Sequence, residues 1–506
     1  MRIEGVHLVE VTEPAPAGPV DVTVTDGIVT QISPSSHPAR GWLMPGLWDQ
    51  HVHLGQWSLS SARVDLAPAK SSAQAVEIVR EHLAERPDWP VIGWGHRPTA
   101  WEHPPVVSDL DAIETDQPIV LICGDGHHGW LNTRALHMLA LPTREGVVAE
   151  AEWFMLYGRL GAVIGADGTG PEAYQHAMTA AAAQGIVGLV DFEFSGGVAE
   201  WLDRWDQGAD LLRVRMATYA DGLADVIDRG LRTRDPLDRD PRLTMGPLKI
   251  ISDGSLNTRT AWCCEPYAEK ALLGFPHGQP NQTPEELRSL LRSAAGHDLE
   301  VAVHAIGDRA VTEALAAFAE TGARGSVEHC QLTTREDVRR MAELGVRASV
   351  QPAHLLDDRV VTELLWPGRG DRSFPLRWML DEGVDVVLGS DAPVSPLDPW
   401  LAIAAAVHRA AGGEEPWHPE QAITAREALA ASTDGWGPWP WVTLAISCCS
   451  TSIRWPVTTT PPMPDGCGPW ATTSVGPGSP VRSCTTLTDV SQARPTLAAD
   501  GATASG

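Results

Sequence analysis

Eight short apolar runs, most of them separated by helical patterns, constrain the fold of this chain more than any other feature. The runs lie at Met44–Leu54, Gly185–Asp191, Leu212–Tyr219, Pro247–Ser252, Leu299–His304, Ser326–His329, Val346–Gln351 and Val384–Asp391. Continuous apolar strands that alternate with helices are typical of a parallel sheet, because both faces of such a sheet are covered. Eight units over about 350 residues predict an α/β fold, a (β/α)₈ TIM barrel with a large insertion after its first strand.

The first run ends in two histidines, His51 and His53. Alternate side chains of a strand point to the same face, so both imidazoles aim one way and Val52 aims the other. Two imidazoles on one side of a strand end are a ready pair of metal ligands. Two polar residues at a strand end without a metal fit the same pattern, and the later runs decide between these interpretations.

Other runs also carry side chains that bind metals. The fourth contains Lys249, the fifth ends in His304, the sixth in His329 and the eighth in Asp391. The chemistry of a (β/α)₈ barrel sits at the carboxyl ends of its strands. A single strand-end histidine is usually a hydrogen-bonded rim residue, but chance is a poor explanation for four histidines and an aspartate together. Neutral imidazoles and a carboxylate suit Zn²⁺ or a similar divalent ion.

Two further segments are predicted around the barrel, which we assign to residues 44–436. Residues 1–43 form a β unit, because two alternating runs flank Asp26-Gly27, a strong hairpin signal. Residues 60–180 form an inserted subdomain over the mouth of the first strand. Its predicted elements are a helix at Ser72–Leu83, strands at Pro90–Trp94 and Pro118–Ile122, and a loop at Gly126–Asn132 that enters a helix.

Composition excludes several classes of protein. The formal net charge of −27 argues against nucleic acid or an anionic membrane as a partner. No apolar run approaches the ~18 residues of a membrane-spanning helix, and no signal peptide is evident. The eight cysteines contain no C-x-x-C pair, which favours a reducing cytoplasm over a disulfide framework.

Five motifs together resemble the amidohydrolase superfamily, and within it the branch that includes N-substituted formamide deformylases. They are Pro45–His53, Leu248–Ser255, His304–Asp308, Glu328–Gln331 and Gly389–Val394. The resemblance covers about residues 1–436 and implies a metal-dependent hydrolase with a TIM barrel and a small β-sandwich, the latter built from both ends of the chain.

The resemblance also implies ligands for one or two divalent ions, most readily Zn²⁺. His51, His53 and Asp391 would hold one ion, and His304 and His329 the second. Lys249 stands where this superfamily often has a carbamylated lysine that bridges two metals. Only three lysines occur in the chain, and carbamylation needs a primary amine that arginine cannot supply, but an ordinary strand lysine remains an alternative.

The implied chemistry is hydrolysis by a metal-activated hydroxide. A bound divalent cation lowers the pKa of water from about 15.7 towards about 7. Asp391 would orient this nucleophile, take its proton and pass it to the leaving amine, while the metal or a histidine such as His304 or His329 polarises the carbonyl.

Weaker candidates for substrate contact follow two of the predicted strands. They are His128 and Asn132 in the insertion, and Asp253 and Arg259 after the lysine strand. Loop hydrogen bonds and surface pairing explain the same residues equally simply.

Residues 437–506 do not fit the rest of the chain. They contain no lysine or glutamate and show no sustained periodicity, so we predict an irregular tail. The resembled family continues instead with strands that close the N-terminal β unit. Back-translation of residues 437–457 with G+C-rich codons, read in the third frame, can give V-A-V-G-H-P-R-D-L-L-L-L-D-I-D-P-L-A-G. We therefore hypothesise that the tail is a frameshifted reading.

These observations predict a cytoplasmic hydrolase that cleaves an amide-type C–N bond, other than a main-chain peptide bond, in a small molecule. A homo-oligomer is left open. One alternative is a deaminase of a ring or exocyclic C–N bond that uses the same site. The other is an inactive product of a damaged gene.

Overall fold

The computed structural model describes residues 1–12, 14–25, 28–59, 63–157, 160, 170–194, 197–434 and 444–445. The strands are β1 Arg2–Leu8, β2 Val20–Thr25, β3 Ile28–Pro34, β4 Gly41–Pro45, β5 Leu47–Val52, β6 Val64–Asp65, β7 Val91–His96, β8 Ile119–Cys123, β9 His128–Leu131, β10 Val148–Ala149, β11 Ile186–Asp191, β12 Arg213–Thr218, β13 Leu243–Ile251, β14 Val301–Ala305, β15 Gly325–His329, β16 Arg347–Val350, β17 Val386–Leu388 and β18 Leu444–Ala445. The α-helices are α1 Leu54–Ser58, α2 Ser72–Glu85, α3 Val107–Asp111, α4 Thr133–Met138, α5 Glu150–Tyr157, α6 Pro171–Ala183, α7 Val198–Asp206, α8 Leu223–Asp228, α9 Pro284–Ala295, α10 Asp308–Thr321, α11 Arg335–Leu344, α12 His354–Leu365, α13 Leu376–Asp381, α14 Pro399–His408 and α15 Ala425–Ala431.

Eight parallel strands form the central sheet, in the order β17-β16-β15-β14-β13-β12-β11-β5. The first and last strands meet, because the Asp391 N–H donates to the His51 carbonyl at 2.7 Å and the His53 N–H donates to the Ala392 carbonyl at 2.9 Å. Each of the eight predicted runs overlaps one of these strands. The predicted (β/α)₈ barrel is therefore confirmed.

The helices around the barrel show why the sequence alternates as it does. In α10 the side chains of Val311, Ala314, Leu315 and Phe318 recur at helical spacing and are buried in the main core. The N-cap of α9 is Thr283, whose side chain accepts from the Glu286 N–H in a capping box. Such apolar stripes cover the outer face of the sheet and leave the strand ends for chemistry.

The insertion contains its own five-stranded sheet, in the order β10-β9-β8-β7-β6. The predicted helix and two strands appear here as α2, β7 and β8. The predicted loop at Gly126–Asn132 was wrong in part, because it contains the strand β9. Trp130 and Leu131 pair with residues of β8 and are almost fully buried. The free energy gained by burying these apolar side chains outweighs the loop preference of the neighbouring glycines and histidines.

The N-terminal β unit is a five-stranded sheet in the order β18-β4-β1-β2-β3. The two predicted hairpin strands are paired and antiparallel, while the Asp26-Gly27 turn lies outside the described residues. Of the tail, only Leu444–Ala445 is described, and it pairs with β4. The prediction of an irregular, frameshifted tail otherwise lies outside the described residues and stays a hypothesis.

No helix within the described ranges combines the length and the apolar character of a membrane span.

Candidate metal centre

The Asp391 carboxylate lies at the centre of a cluster of histidines at the carboxyl ends of the barrel strands. Its Oδ1 is 3.5 Å from His51 Nε2 and 3.4 Å from His53 Nε2. Its Oδ2 is 3.9 Å from His329 Nδ1 and 3.7 Å from His354 Nε2. Two triads can each offer three ligand atoms within 4.8 Å of one another, His51 with His53 and Asp391, and His329 with His354 and Asp391.

The backbone at this cluster adopts an unusual conformation. Asp391 has φ 57° and His329 has φ 68°, values in the left-handed region that residues with a Cβ seldom occupy. Such conformations persist where the surrounding structure enforces them, and they cluster at functional sites. His329 is the last residue of β15 and Asp391 lies just beyond the end of β17, so each turns the chain at the end of a strand.

His51 is held from both sides. Its Nδ1 lies 2.7 Å from Glu328 Oε2, and its Nε2 lies 3.1 Å from Lys249 Nζ. Burial lowers the pKa of Lys249 to about 8, although the charges of Glu328 and Asp391 act to raise it. The amine is therefore closer to its neutral form than an exposed lysine is, next to the histidine cluster.

His304 joins the cluster through ring packing. Its ring centroid is 4.5 Å from that of His329. Its Nε2 is 3.3 Å from the Gly254 carbonyl oxygen and 3.6 Å from Asp253 Oδ1. The structure thus brings together all six residues proposed from sequence as metal ligands, with His304 beside the two triads rather than within either.

The donor set fits a divalent cation. Burial lowers the pKa values of His51, His304 and His329 well below the ordinary value, so these imidazoles are neutral and keep a lone pair. Within this cluster, three buried ring nitrogens have no hydrogen-bond partner, namely His53 Nδ1, His329 Nδ1 and His354 Nε2. Neutral nitrogens gathered around one carboxylate suit Zn²⁺ or a related ion.

A cavity of about 840 Å³, including its open mouth, lies over the cluster. One wall is aromatic and consists of Trp94, Phe154, Phe194 and Tyr219. Phe194 stacks on His53 at 4.9 Å between ring centroids and on Phe154 at 5.6 Å. The cavity therefore offers an apolar surface beside the histidines.

Two of the weaker substrate candidates lie in the insertion and do not line this cavity. His128 is buried, with its Nε2 3.3 Å from His96 Nε2. The Asn132 side chain caps α4 by accepting from the Ala135 N–H, and it donates to the Gln117 carbonyl. Their hydrogen bonds are structural, so the expectation of substrate contact is corrected for both.

The other two candidates also have structural partners. Asp253 accepts from the backbone N–H groups of Ile306 and Gly307, at 3.0 and 2.9 Å, which fixes the loop after β14. Arg259 Nε donates to Glu269 at 2.6 Å. Neither residue is among those that line the cavity.

Sequence reasoning missed His354 and the pair His127 and Glu150. His354 begins α12 and follows the end of β16 by four positions, so a search of the loop beyond that strand end would have found it. His127 lines the cavity, and its Nδ1 lies 3.1 Å from Glu150 Oε2. These two residues are 23 positions apart in the insertion, and no local pattern signals their contact.

Comparison with known proteins agrees with this geometry. The amidohydrolase family model matches residues 41–436. The protein YtcJ of Bacillus subtilis (strain 168), which carries an amidohydrolase name, is 27% identical over 429 residues, which cover 78% of this chain and 79% of YtcJ. The N-substituted formamide deformylase of Arthrobacter pascens is 24% identical over 437 residues, covering 76% and 77% of the two chains.

A solved structure shares the fold. The crystal structure of an uncharacterized metal-dependent hydrolase from Pyrococcus horikoshii OT3 has a TM-score of 0.69 and 24% identity. The match covers 85% of this chain and 91% of that one. From the family match over residues 41–436 and the shared barrel, this chain belongs to the amidohydrolase family.

Proposed function

We propose that this protein hydrolyses an amide-type C–N bond, other than a main-chain peptide bond, in a small molecule, with one or two divalent ions, most readily Zn²⁺. The observation that carries the proposal is the convergence of four histidines on the Asp391 carboxylate beneath an open cavity. The net charge of −27 supports a small-molecule substrate rather than nucleic acid or an anionic membrane surface.

Each residue of the cluster has a role in holding the ions. His51, His53 and Asp391 would hold one ion, and His329, with His304 or His354, the other. Lys249 would bridge them if carbamylated, and its buried amine beside His51 supports that role. A divalent ion bound here would lower the pKa of water and polarise a substrate carbonyl.

Asp391 would move the proton during the reaction. Burial by itself raises the pKa of Asp391, but the hydrogen bond and charge of His53 lower it below the ordinary value. The carboxylate is therefore ionised at neutral pH and can accept a proton from the attacking water. The same oxygen can then deliver that proton to the leaving nitrogen, which must be protonated for the C–N bond to break.

The aromatic wall supports an amide with an apolar or aromatic substituent. Phe194 and Phe154 are stacked face to face beside His53, and flat apolar groups pack well against such surfaces. One relative is named an N-substituted formamide deformylase, a reaction type that fits a carbonyl at the metal centre and an N-substituent against the aromatic wall.

The test is turnover of metal-loaded protein on a panel of N-substituted formamides, N-acyl amines and cyclic amides, with His53→Ala as the matched inactive control. We expect release of amine and carboxylate from at least one amide, and none from the His53→Ala variant. Release of ammonia would identify a deaminase instead. A folded, metal-loaded chain inert on the whole panel would contradict the proposal and favour the damaged-gene alternative.

A further inference from the structure

Three side chains that bind metals meet at one edge of the inserted sheet, apart from the barrel centre. His96 ends β7 and Cys123 ends β8, and these two residues are register partners in parallel strands. His128 begins β9, which runs antiparallel to β8. The sheet topology therefore brings all three side chains together, and one ligand atom of each lies within 4.8 Å of the others.

The spacing of the two imidazoles matches metal coordination. His96 Nε2 and His128 Nε2 are 3.3 Å apart. Two nitrogens at about 2.0–2.1 Å from a tetrahedral Zn²⁺ are separated by about 3.3–3.4 Å. A hydrogen bond between the rings explains that distance as well, and the Cys123 thiol hydrogen-bonds to the Asp125 carboxylate. Neither contact requires the ligand atoms of all three side chains to meet at one point, whereas a bound cation does.

Burial and charge also favour a cation. His96, Cys123 and His128 are 0%, 1% and 5% exposed, so water competes little for their ligand atoms. Burial lowers the pKa of His96 to about 3 and lowers that of His128, which leaves neutral imidazoles. Asp125 follows Cys123 by two positions, and its carboxylate accepts from the His127 backbone N–H at 3.1 Å. The negative charge of this carboxylate would offset the charge of a bound ion.

We propose that His96, Cys123 and His128 form a second metal site, for Zn²⁺ or a similarly thiophilic first-row divalent ion. Three protein ligands leave one tetrahedral position, which a water molecule fills. Binding converts the Cys123 thiol to a thiolate and releases its proton to solvent, so the site gains a Cys sulfur–metal bond and loses an S–H bond.

The position of this second metal site indicates that a bound ion would hold the loop between Cys123 and His128 in place. The loop between Cys123 and His128 carries Asp125 and His127, which line the cavity over the barrel centre. Asp125 also accepts from the Ser255 hydroxyl at 2.8 Å, across to the loop after β13. An ion at the base of this loop fixes the cavity wall formed by the insertion.

Cobalt substitution tests the proposal, because the barrel centre has no cysteine among the ligands described. We expect a thiolate-to-cobalt charge-transfer band in the protein loaded with Co²⁺. The Cys123→Ser variant should lose that band and bind one metal ion fewer per chain. The Cys264→Ser variant, which changes an exposed cysteine, should keep both. The His53→Ala variant should keep the band, since it perturbs only the barrel centre.

A measurement on the unaltered chain guards against misfolding of the variants. Titration of zinc-loaded protein with a mercurial reagent should release one zinc ion per chain to a chromogenic chelator, while the ion at the histidine cluster stays bound. Absence of the cobalt band in the unaltered chain, or a band of equal strength in Cys123→Ser, would overturn the proposal. Equal metal content in Cys123→Ser and Cys264→Ser would do the same.

Discussion

His51 Nδ1 lies 2.7 Å from Glu328 Oε2, and both side chains are buried. A carboxylate in this position fixes the ring so that Nδ1 carries the proton and Nε2 offers its lone pair towards Asp391 and Lys249. Glu328 would therefore act on a metal bound at this centre through His51, without contacting the ion itself. It is a positioning residue rather than a ligand.

The first prediction concerns this pair. Glu328→Gln should keep the fold but weaken metal binding about 10–100-fold, because the neutral amide makes His51 a poorer ligand. Competition with a chelator measures the affinity. Glu382→Gln, which removes a surface carboxylate paired with Arg335, is the matched control and should bind metal normally. Unchanged affinity in Glu328→Gln would show that His51 does not need this partner.

Asp391→Asn should preserve the fold and lose turnover by at least about 100-fold, because an amide cannot carry the proton from water to the leaving nitrogen. Steady-state kinetics on the best amide of the panel measures the loss, and circular dichroism checks the fold. Asp381→Asn on the barrel surface serves as the control. Wild-type turnover in Asp391→Asn would refute the assigned role.

Lys249 should carry a carboxyl group on its amine. Protein loaded with metal in ¹³C-bicarbonate should show a carbamate signal by NMR that is absent from Lys249→Arg, since a guanidinium does not form it. Lys270→Arg, at an exposed lysine, is the control. If the metal-loaded wild-type protein lacks the signal, Lys249 is an ordinary buried amine beside His51.

Phe194→Ala should weaken binding of amides with aromatic substituents more than that of small amides. Loss of the stacking contact between Phe194 and an aromatic substituent of the substrate removes roughly 0.5–1.5 kcal/mol beyond the buried area, equivalent to about a 2–13-fold rise in KM. Comparison of KM values for matched formamides gives the result. Phe275→Ala, at a side chain 62% exposed, should leave both values unchanged. A uniform effect on all substrates would argue against an aromatic subsite.

The frameshift hypothesis predicts a difference in stability. A gene repaired at the codons for Gly437 and Pro438 would encode strands that extend the N-terminal sheet, where Leu444–Ala445 is the described partner on the outer side of β4. The repaired protein should unfold at a higher temperature than this chain at equal metal content. Equal melting temperatures, or an uninterrupted frame found on resequencing, would remove the hypothesis.

The barrel could be predicted from sequence because its signal is local and repeated. Each strand is a short apolar run, and candidate ligands such as His304 and His329 come at the end of such a run, so topology alone brings them together. The insertion was harder to predict. Gly126–Asn132 has turn-forming glycines, yet Trp130 and Leu131 make it a strand through contacts with β8 that no short window contains.

The candidate site residues fall into the same two groups, those that a local pattern predicts and those that only the folded chain brings together. His51, His53, Lys249 and Asp391 were predicted because they fall within motifs. His354 was missed because it begins a helix, and its place beside Asp391 depends on how α12 sits over the barrel. Asn132 illustrates the opposite error, since an asparagine before a helical stretch is also a common N-cap, and here it is one.

The junction between the first and last strands has a consequence for folding. The Ser390 N–H donates to the Asp49 carboxylate across 341 positions of the chain, immediately beside His51 and Asp391. The triad of His51, His53 and Asp391 thus comes from the two ends of the sheet, which meet only when the ring of strands is complete. An ion bound there acts as a cross-link over a very long loop, so a partly assembled chain has no complete set of ligands, and metal capture reports completed folding.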